Sequence, residues 1–245
     1  TDGHIRRLET FGTDNTCTLY AENIRLLPNY GRGFRVSGAV GLDVELDMPG
    51  MFNVYNALAA ISVCRHYGVR NEDIWEALLH LTVKGRMEEV PFLPDRTVII
   101  DYAHNRISVE NALKTLRERN PKRIICVASC DGLVALNRRH DVGEACGQFA
   151  DLTVLSAVNY RTENPTDILK EMEAAIRPTG GKYVVIPDRV EADRYALSVS
   201  GPGDIVIFTY IGDNGYMDNG ENHIFIDEWE IVRQVRQQLL SEGKS

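Results

Sequence analysis

Val98-Ile99-Ile100-Asp101-Tyr102-Ala103-His104-Asn105 passes in one step from a wholly apolar run into hydrogen-bonding side chains. A run that is apolar at every position, rather than at every second one, predicts a strand covered on both faces. The same unit recurs on its C-terminal side. Arg123 to Ala128, Asp151 to Leu155, Tyr183 to Ile186 and Asp204 to Phe208 are further short apolar strands. Between them lie helical stretches: Ser108 to Arg119, Asn137 to Phe149, Pro165 to Ile176 and Val190 to Val199. Asn164-Pro165-Thr166-Asp167 is a helix start, with asparagine at the cap and proline at the first position. Asp227-x-x-Glu230 is an acidic capping box for a last helix through Leu240. This alternation predicts an α/β fold with a Rossmann-like, mostly parallel sheet and helices on both faces. Ligands of such sheets bind at the loops after the strand C-terminal ends.

Upstream the period changes. Ile5 to Asp47 reads as short extended runs with glycines at 31, 33, 38 and 41, and an alternating stretch from Ala39 to Leu46 stops at Pro49-Gly50. Val54 to Tyr67 is then predicted helical and closed by Gly68, with Asn71 capping a second helix through Leu81. A boundary near residues 82 to 90 separates residues 1–84 from residues 85–245.

The chain of 245 residues carries 27 basic and 35 acidic side chains, a net charge of -8. That balance argues against nucleic-acid binding, and Arg6-Arg7 and Arg138-Arg139-His140 are too short to reverse it. No run approaches the roughly 20 apolar residues of a membrane span. Five cysteines, at 17, 64, 126, 130 and 146, fit reduced thiols in a cytoplasmic protein. Cys126, Cys130 and Cys146 lack both a paired Cys-x-x-Cys and a nearby histidine, so no metal site is assigned. A first residue of Thr1 rather than methionine is expected of a processed or truncated chain.

Three strand ends carry chemistry. Asp101 can accept two hydroxyl hydrogens, as from a ribose diol, with His104 and Asn105 beside it; alternatively Asp101 and Asn105 cap the next helix and Tyr102 packs on the sheet. After Leu155, Arg161 offers a planar two-pronged donor to a carboxylate, or else pairs with Glu163 on the surface. The Gly-, Asp- and Asn-rich loop from Thr209 to Glu221 is a substrate lid or a hairpin connection. No G-x-x-x-x-G-K-[ST] loop and no G-x-G-x-x-G fingerprint occurs; Gly31-x-Gly33 is too short a match. Ser129 and Ser156 lack the glycines of a nucleophile elbow, and His66 reads as an ordinary helix residue.

Asn53-Val54-Tyr55-Asn56-Ala57-Leu58-Ala59-Ala60, then Gly85-Arg86-Met87-Glu88, then Asp101-Tyr102-Ala103-His104-Asn105, in this order and spacing, resemble the Mur ligase family, nearest its branch that adds the third stem residue of peptidoglycan. The resemblance implies that residues 1–84 are the tail of a central ATPase domain and residues 85–245 the C-terminal ligase domain. It implies an ATP- and Mg2+-dependent ligase in the cytoplasm that joins an amino acid to a UDP-N-acetylmuramoyl peptide through an acyl phosphate. A related ligase with a different acceptor, of folylpolyglutamate type, and a noncatalytic binding module are the alternatives. The implied nucleotide residues are Asn53 and Asn56 near the adenine, Arg86 at the phosphates, and Asp101, His104 and Asn105 at the ribose. Asn159 and Arg161 are implied to read the incoming amino acid. No catalytic residue is assigned, and the oligomeric state is left open.

Three family loops are altered. Asp-Asn-Pro-Arg reads Val158-Asn159-Tyr160-Arg161, and Gly-Gly-Asp-Arg-Asp reads Asp131-Gly132-Leu133-Val134-Ala135, with Arg139 further along. Gly-Lys-Gly-His-Glu reads Tyr210-Ile211-Gly212-Asp213-Asn214. The resemblance places the phosphate loop and the magnesium ligands upstream of Thr1. These 245 residues alone are therefore expected to release no ADP from ATP; turnover by the purified chain that Asp101→Ala abolishes would contradict this.

Overall fold

A computed structural model describes residues 8–220 and 222–243, apart from the side chain of Leu136. The expected extended stretch from Ile5, the pair Arg6-Arg7 and the loop residue Glu221 fall outside them. The chain divides into two compact units, up to Thr82 and from Val83.

The first unit is a four-stranded sheet backed by two helices. Strands β1 (Phe11–Gly12), β2 (Leu19–Leu26), β3 (Arg32–Gly38) and β4 (Leu42–Leu46) lie side by side in chain order. Inward residues Leu19, Phe34, Val36, Val44 and Leu46 form one core with Val54, Leu58 and Ile61 of α1 (Met51–His66) and with Ile74 and Leu78 of α2 (Asn71–Leu79). The alternate residues face outward and pair across strands, Arg25 with Glu45 at 2.8 Å and Arg35 with Asp43 at 2.9 Å. β4 begins at Leu42 rather than Ala39, because the chain turns at Gly38 (φ 94°) and Ala39 N–H goes back to Thr18 O. α1 ends in a Schellman turn: Val69 N–H reaches Cys64 O and Gly68 N–H reaches Arg65 O, with Gly68 left-handed. Asn71 does not cap α2. It is the first helical residue, the cap is Arg70 with no side-chain cap bond, and the helix stops at Leu79. The Arg70 guanidinium instead grips Asp73 in the first turn at 2.7 Å.

The second unit has a six-stranded sheet in the order β5-β6-β10-β7-β8-β9, from β5 (Glu88–Val90), β6 (Thr97–Ile100), β7 (Arg123–Ala128), β8 (Leu152–Leu155), β9 (Tyr183–Val185) and β10 (Asp204–Phe208). Only the edge strand β5 runs antiparallel to its neighbour. The helices are α3 (Arg106–Arg117), α4 (Leu136–Phe149), α5 (Pro165–Ile176), α6 (Arg189–Val199) and α7 (Glu228–Ser241). A short hairpin, β11 (Tyr216–Asp218) with β12 (His223–Phe225), connects β10 to α7. Val98, Ile100, Ile125, Val127, Val206 and Phe208 pack under α6 and α7, while the intervening Ile99, Cys126 and Ile207 are equally buried on the other side. α3 packs on α4 and α4 on α5. β8 starts one residue later than predicted because the Asp151 carboxylate turns back to accept Ile124 N–H at 2.7 Å and to meet Arg117 at 2.8 Å. The caps at Asn164 and Asp227 form as predicted, but the box at Asp227 does not close: Asp227 accepts Glu230 N–H at 3.0 Å, while the Glu230 carboxylate turns to Arg233 and Gln234.

Because β9 leads back through α6 to the middle of the sheet, β10 lies between β6 and β7. This places the ends of β6, β10 and β7 next to each other. One fully buried guanidinium binds two strand ends to both helices of that face, and Ser129 joins a third strand end to them. Arg189 Nη1 donates to Ser129 Oγ at 3.0 Å, and Nη2 donates to Thr209 O at 2.9 Å and to Glu228 Oε1 at 2.5 Å. Its Nε lies 2.9 Å from Asp193 Oδ1, and Ser129 Oγ meets Ser156 Oγ at 2.7 Å. One cation thus faces two enclosed carboxyls, and one of them keeps a proton at neutral pH. Burial pushes Glu228 up to about 8 and Asp193 to about 6, against the pull of Arg189. Asp188 and Asp227, just outside, push the same way.

An unfolded glutamate releases its proton near its ordinary value of 4.5, whereas Glu228 in the folded chain holds it to about 8. Between those values the folded state binds more protons, so stability falls as pH rises. Thermal melts from pH 5 to 8.5 should show a falling Tm, and Glu228→Gln should flatten the slope. Arg189→Met, which strands both carboxyls, should cost about 3–5 kcal/mol in denaturant melts.

Candidate functional site

Asp101 closes β6. Its N–H donates to Phe208 O at 2.9 Å, continuing the ladder by one residue, and its side chain then turns back on the main chain. Oδ2 accepts Met87 N–H at 2.7 Å and Oδ1 accepts Ala103 N–H at 2.8 Å. The residue is 8% exposed. Burial raises its pKa, and the two amides, then Arg86 and His104, pull the other way. Each oxygen keeps one lone pair beyond the bond it accepts.

Around this carboxylate a stack of side chains forms. The Arg86 guanidinium lies 4.3 Å from the Tyr102 ring centre, and the His104 ring follows at 4.8 Å, with Tyr210 edge-on to His104 at 6.5 Å. His104 Nδ1 is spent on Tyr102 O at 2.9 Å, so Nε2 is the ring nitrogen left for another partner. Asn105 caps α3: Oδ1 accepts Ser108 N–H at 3.0 Å, and Ser108 Oγ returns to Asn105 N–H in a reciprocal box. The helix accordingly begins at Arg106, two residues before the predicted Ser108.

Arg86 is held by its neighbours. Gly85 is left-handed (φ 66°), and a Cβ there would meet Asp213 N at 2.3 Å. Gly85 N–H donates to Glu88 Oε2 at 2.7 Å, and Glu88 Oε1 accepts Trp229 Nε1–H at 3.0 Å. Lys84 pairs with Asp213 at 2.6 Å and lies over Trp229 at 4.5 Å. The Gly-Arg-Met-Glu tetrapeptide is thus a built turn that leaves the Arg86 side chain exposed.

A second cluster follows β8. Asn159 (φ 47°) and Arg161 (φ 54°) are both left-handed. Asn159 O accepts Gly132 N–H at 3.0 Å, and its Oδ1 accepts Asp218 N–H at 2.7 Å. Arg161 N–H donates to Asp218 O at 3.2 Å, and its Nη1 to Gly132 O at 3.2 Å. The loops after β7 and β8 and the β11–β12 hairpin are interlocked here; a Cβ on Gly132 would meet Tyr160 O at 2.1 Å. Glu163 does not pair with Arg161. It pairs with the buried Arg139 at 2.7 Å, which also holds Glu171 at 2.9 Å. The loop after Thr209 forms a 3-10 turn and the hairpin.

Asn53 and Asn56 are three residues apart on α1 in the other unit. Asn53 Nδ2 donates to Pro49 O at 2.8 Å, bracing the turn into the helix, and its Oδ1 accepts Asn56 Nδ2–H at 3.1 Å. Sequence reasoning passed over Tyr210, the partner of His104, and Asp131 at the end of β7. It also passed over His140, Asp141 and Glu144, whose ligand atoms gather within 4.8 Å and whose His-x-x-x-Glu spacing on a helix was the available signal. Glu144 is held there by Arg106 at 2.6 Å.

The Arg86 guanidinium, the Tyr102 and His104 rings and the buried Asp101 carboxylate thus meet where the turn before β5 lies against the end of β6. Residues 85–209, just over half of the chain, match the family described as Mur ligase, glutamate ligase domain. The chain belongs to the Mur ligase family. It is 41% identical over 193 residues to a UDP-N-acetylmuramoyl-L-alanyl-D-glutamate--2,6-diaminopimelate ligase of Caldanaerobacter subterraneus subsp. tengcongensis, covering 79% of this chain and 40% of that protein. It is 37% identical over 226 residues to the ligase of the same name from Geobacillus thermodenitrificans, covering 91% and 46%. A solved structure of a ligase of that name superposes with a TM-score of 0.63 at 26% identity, covering 95% of this chain and 48% of the other. The fold is shared with the UDP-N-acetylmuramate-alanine ligase MurC of Thermotoga maritima, with a TM-score of 0.69 at 21% identity over 96% of this chain and 48% of that one. The chain spans somewhat less than half the length of these relatives. Among the described residues no helix is long and apolar enough to cross a membrane.

The Asn105 box gives a direct measurement. Asn105→Ala should cost about 1 kcal/mol in urea melts through loss of the cap, and Asn105→Asp should restore most of it. An alanine variant as stable as the parent would remove the capping assignment.

Proposed function

We propose that this chain is the C-terminal half of an ATP-dependent carboxylate–amine ligase of the third-residue-adding branch. In this reading residues 1–84 end a central ATPase domain. The intact protein joins an amino acid to a UDP-N-acetylmuramoyl peptide in cell-wall synthesis. The observation that carries the reading is the Arg86–Tyr102–His104 stack beside Asp101, formed from two of the three motifs that carry the family resemblance.

The strand-end residues fit a nucleotide in part. Arg86 is exposed, and its charge acts on the buried Asp101 carboxylate beside it, which leaves its outer face open to a phosphate. His104 Nε2 is a second donor or acceptor. Asp101 can take a ribose hydroxyl only on lone pairs left after Met87 and Ala103, so its first task is to hold the Arg86 turn against the end of β6. Asn105 fits least, its oxygen being committed to the cap. The adenine role of Asn53 and Asn56 rests on the resemblance alone. Bound ATP supplies the phosphoryl group that turns the peptide carboxylate into an acyl phosphate, which the amino acid's amine then attacks. Mg2+ has no assigned ligand in this chain, and the phosphate loop belongs to the upstream half.

A second reading, a noncatalytic module that retains the fold, is favoured by the interlocked loops. Asn159 Oδ1 and Arg161 Nη1 are both committed to main chain. ADP release by the full-length protein separates the two. With its UDP-linked peptide acceptor and a panel of amino acids, a ligase shows amine-dependent release; Arg86→Ala should lower kcat/KM about tenfold to a hundredfold. No release with any amine supports the module.

A further inference from the structure

Arg86 stands between two main-chain amides, each held by a different carboxylate. On one side Gly85 N–H donates to Glu88 Oε2 at 2.7 Å, and on the other Met87 N–H donates to Asp101 Oδ2 at 2.7 Å. Gly85 (φ 66°) and Met87 (φ 48°) are both left-handed. For Met87, which is buried and carries a Cβ, that backbone is unfavourable and persists only where its surroundings fix it. Asp101 is fixed in turn by the end of β6 and by Ala103 N–H. Glu88 opens the edge strand β5, which is paired on one side only, and its carboxylate is fixed from elsewhere in the unit. Trp229 Nε1–H of α7, 141 residues away in sequence, donates to Glu88 Oε1 at 3.0 Å.

α7 is anchored without this bond. Asp227 accepts Glu230 N–H at 3.0 Å, and Glu228, the residue next to Trp229, is fully buried and paired with Arg189 at 2.5 Å. The start of the helix is therefore a fixed point, and the next side chain reaches from it to the Arg86 turn. The Trp229 ring also lies 4.5 Å from Lys84 Nζ, and Lys84 pairs with Asp213 at 2.6 Å. One indole thus touches the side chains on both flanks of the Gly85-Arg86-Met87 turn, Lys84 before it and Glu88 after it. An indole nitrogen is a donor only, so its bond to a carboxylate is one that no other group on that ring can replace.

Resting on the reading of Arg86 as a phosphate ligand of the ligase, we propose that Trp229, acting through Glu88, is a positioning residue for the nucleotide. Its N–H fixes the carboxylate that sets the Arg86 turn, so the start of α7 governs how tightly the phosphates are held.

The test is a double-mutant cycle on the full-length protein, read as the Kd of Mg2+-ADP by calorimetry and as KM for ATP in amine-dependent ADP release. Trp229→Phe keeps an aromatic ring against Lys84 and removes the donor; it should weaken ADP about tenfold and raise KM in step. In an Arg86→Ala background the same substitution should change the affinity by less than about twofold, because the group it positions is gone. Glu88→Gln, which leaves one of the two N–H groups without its acceptor, should repeat the pattern and replaces Trp229→Phe in the cycle should that variant melt early. A loss of equal size with and without Arg86 marks a purely structural contact and overturns the inference. An ADP affinity unchanged by Trp229→Phe and Glu88→Gln, where Arg86→Ala weakens it, does the same; both results leave the ligase reading standing. Arg86→Ala that binds ADP as tightly as the parent overturns the phosphate role of Arg86 and the inference with it.

Discussion

The second unit depends on a guanidinium that water does not reach. Arg189 sits under α6 and α7 with hydrogen bonds to Ser129 after β7, to Thr209 after β10 and to Glu228 at the start of α7. A buried cation is tolerable only with its donors matched, so each of these partners is held to a narrow position. The ends of two parallel strands are thereby fixed relative to two helices by one side chain, and Ser129 ties the end of β8 to them through Ser156. Asn159 and Arg161 depart from the end of β8, and Asp101, His104 and Asn105 from the neighbouring end of β6.

The motifs that carry the family resemblance have a structural task before any chemical one. Asp101 takes the Met87 amide and so ties the Arg86 turn to the end of β6. Gly85 is required because a side chain would strike Asp213 N, and Glu88 holds both Gly85 N–H and Trp229. The result is an exposed arginine presented over Tyr102 by a turn that cannot wander. Preorganisation of this kind is what a phosphate-binding group needs, because the entropy of ordering the arginine is lost at folding rather than at binding. Structural and ligand-binding roles of Asp101 are therefore compatible: the same carboxylate builds the turn and keeps two lone pairs at its edge.

The loops after β7 and β8 are fixed by bonds to each other and to the β11–β12 hairpin. Val158-Asn159-Tyr160-Arg161 lacks the aspartate and proline of the family pattern, yet left-handed Asn159 and Arg161 are locked by Asp218 and Gly132. Arg139, a remnant of a basic loop in sequence terms, is instead buried between Glu163 and Glu171. Charge has been redistributed among neighbouring positions.

Much of the architecture is written in local pattern. Apolar runs such as 98–100 and 205–208 form central strands of a doubly covered sheet, and the caps at Asn164 and Asp227 are set by contacts within one turn. The stretch from Val98 to Asn105 was legible in the same way, as a strand followed by polar groups at its end. What the sequence by itself could not determine was how those polar groups are spent. Asn105 is consumed by Ser108, Glu163 goes to Arg139 rather than to Arg161, and Asp101 reaches back to Met87. Those choices join residues 3, 24 and 14 positions apart. The strand order that brings β10 between β6 and β7 is likewise a tertiary outcome. Hydrophobic period fixes which segments are buried, but the partner of a polar atom is decided by whichever donor the folded chain brings within about 3 Å.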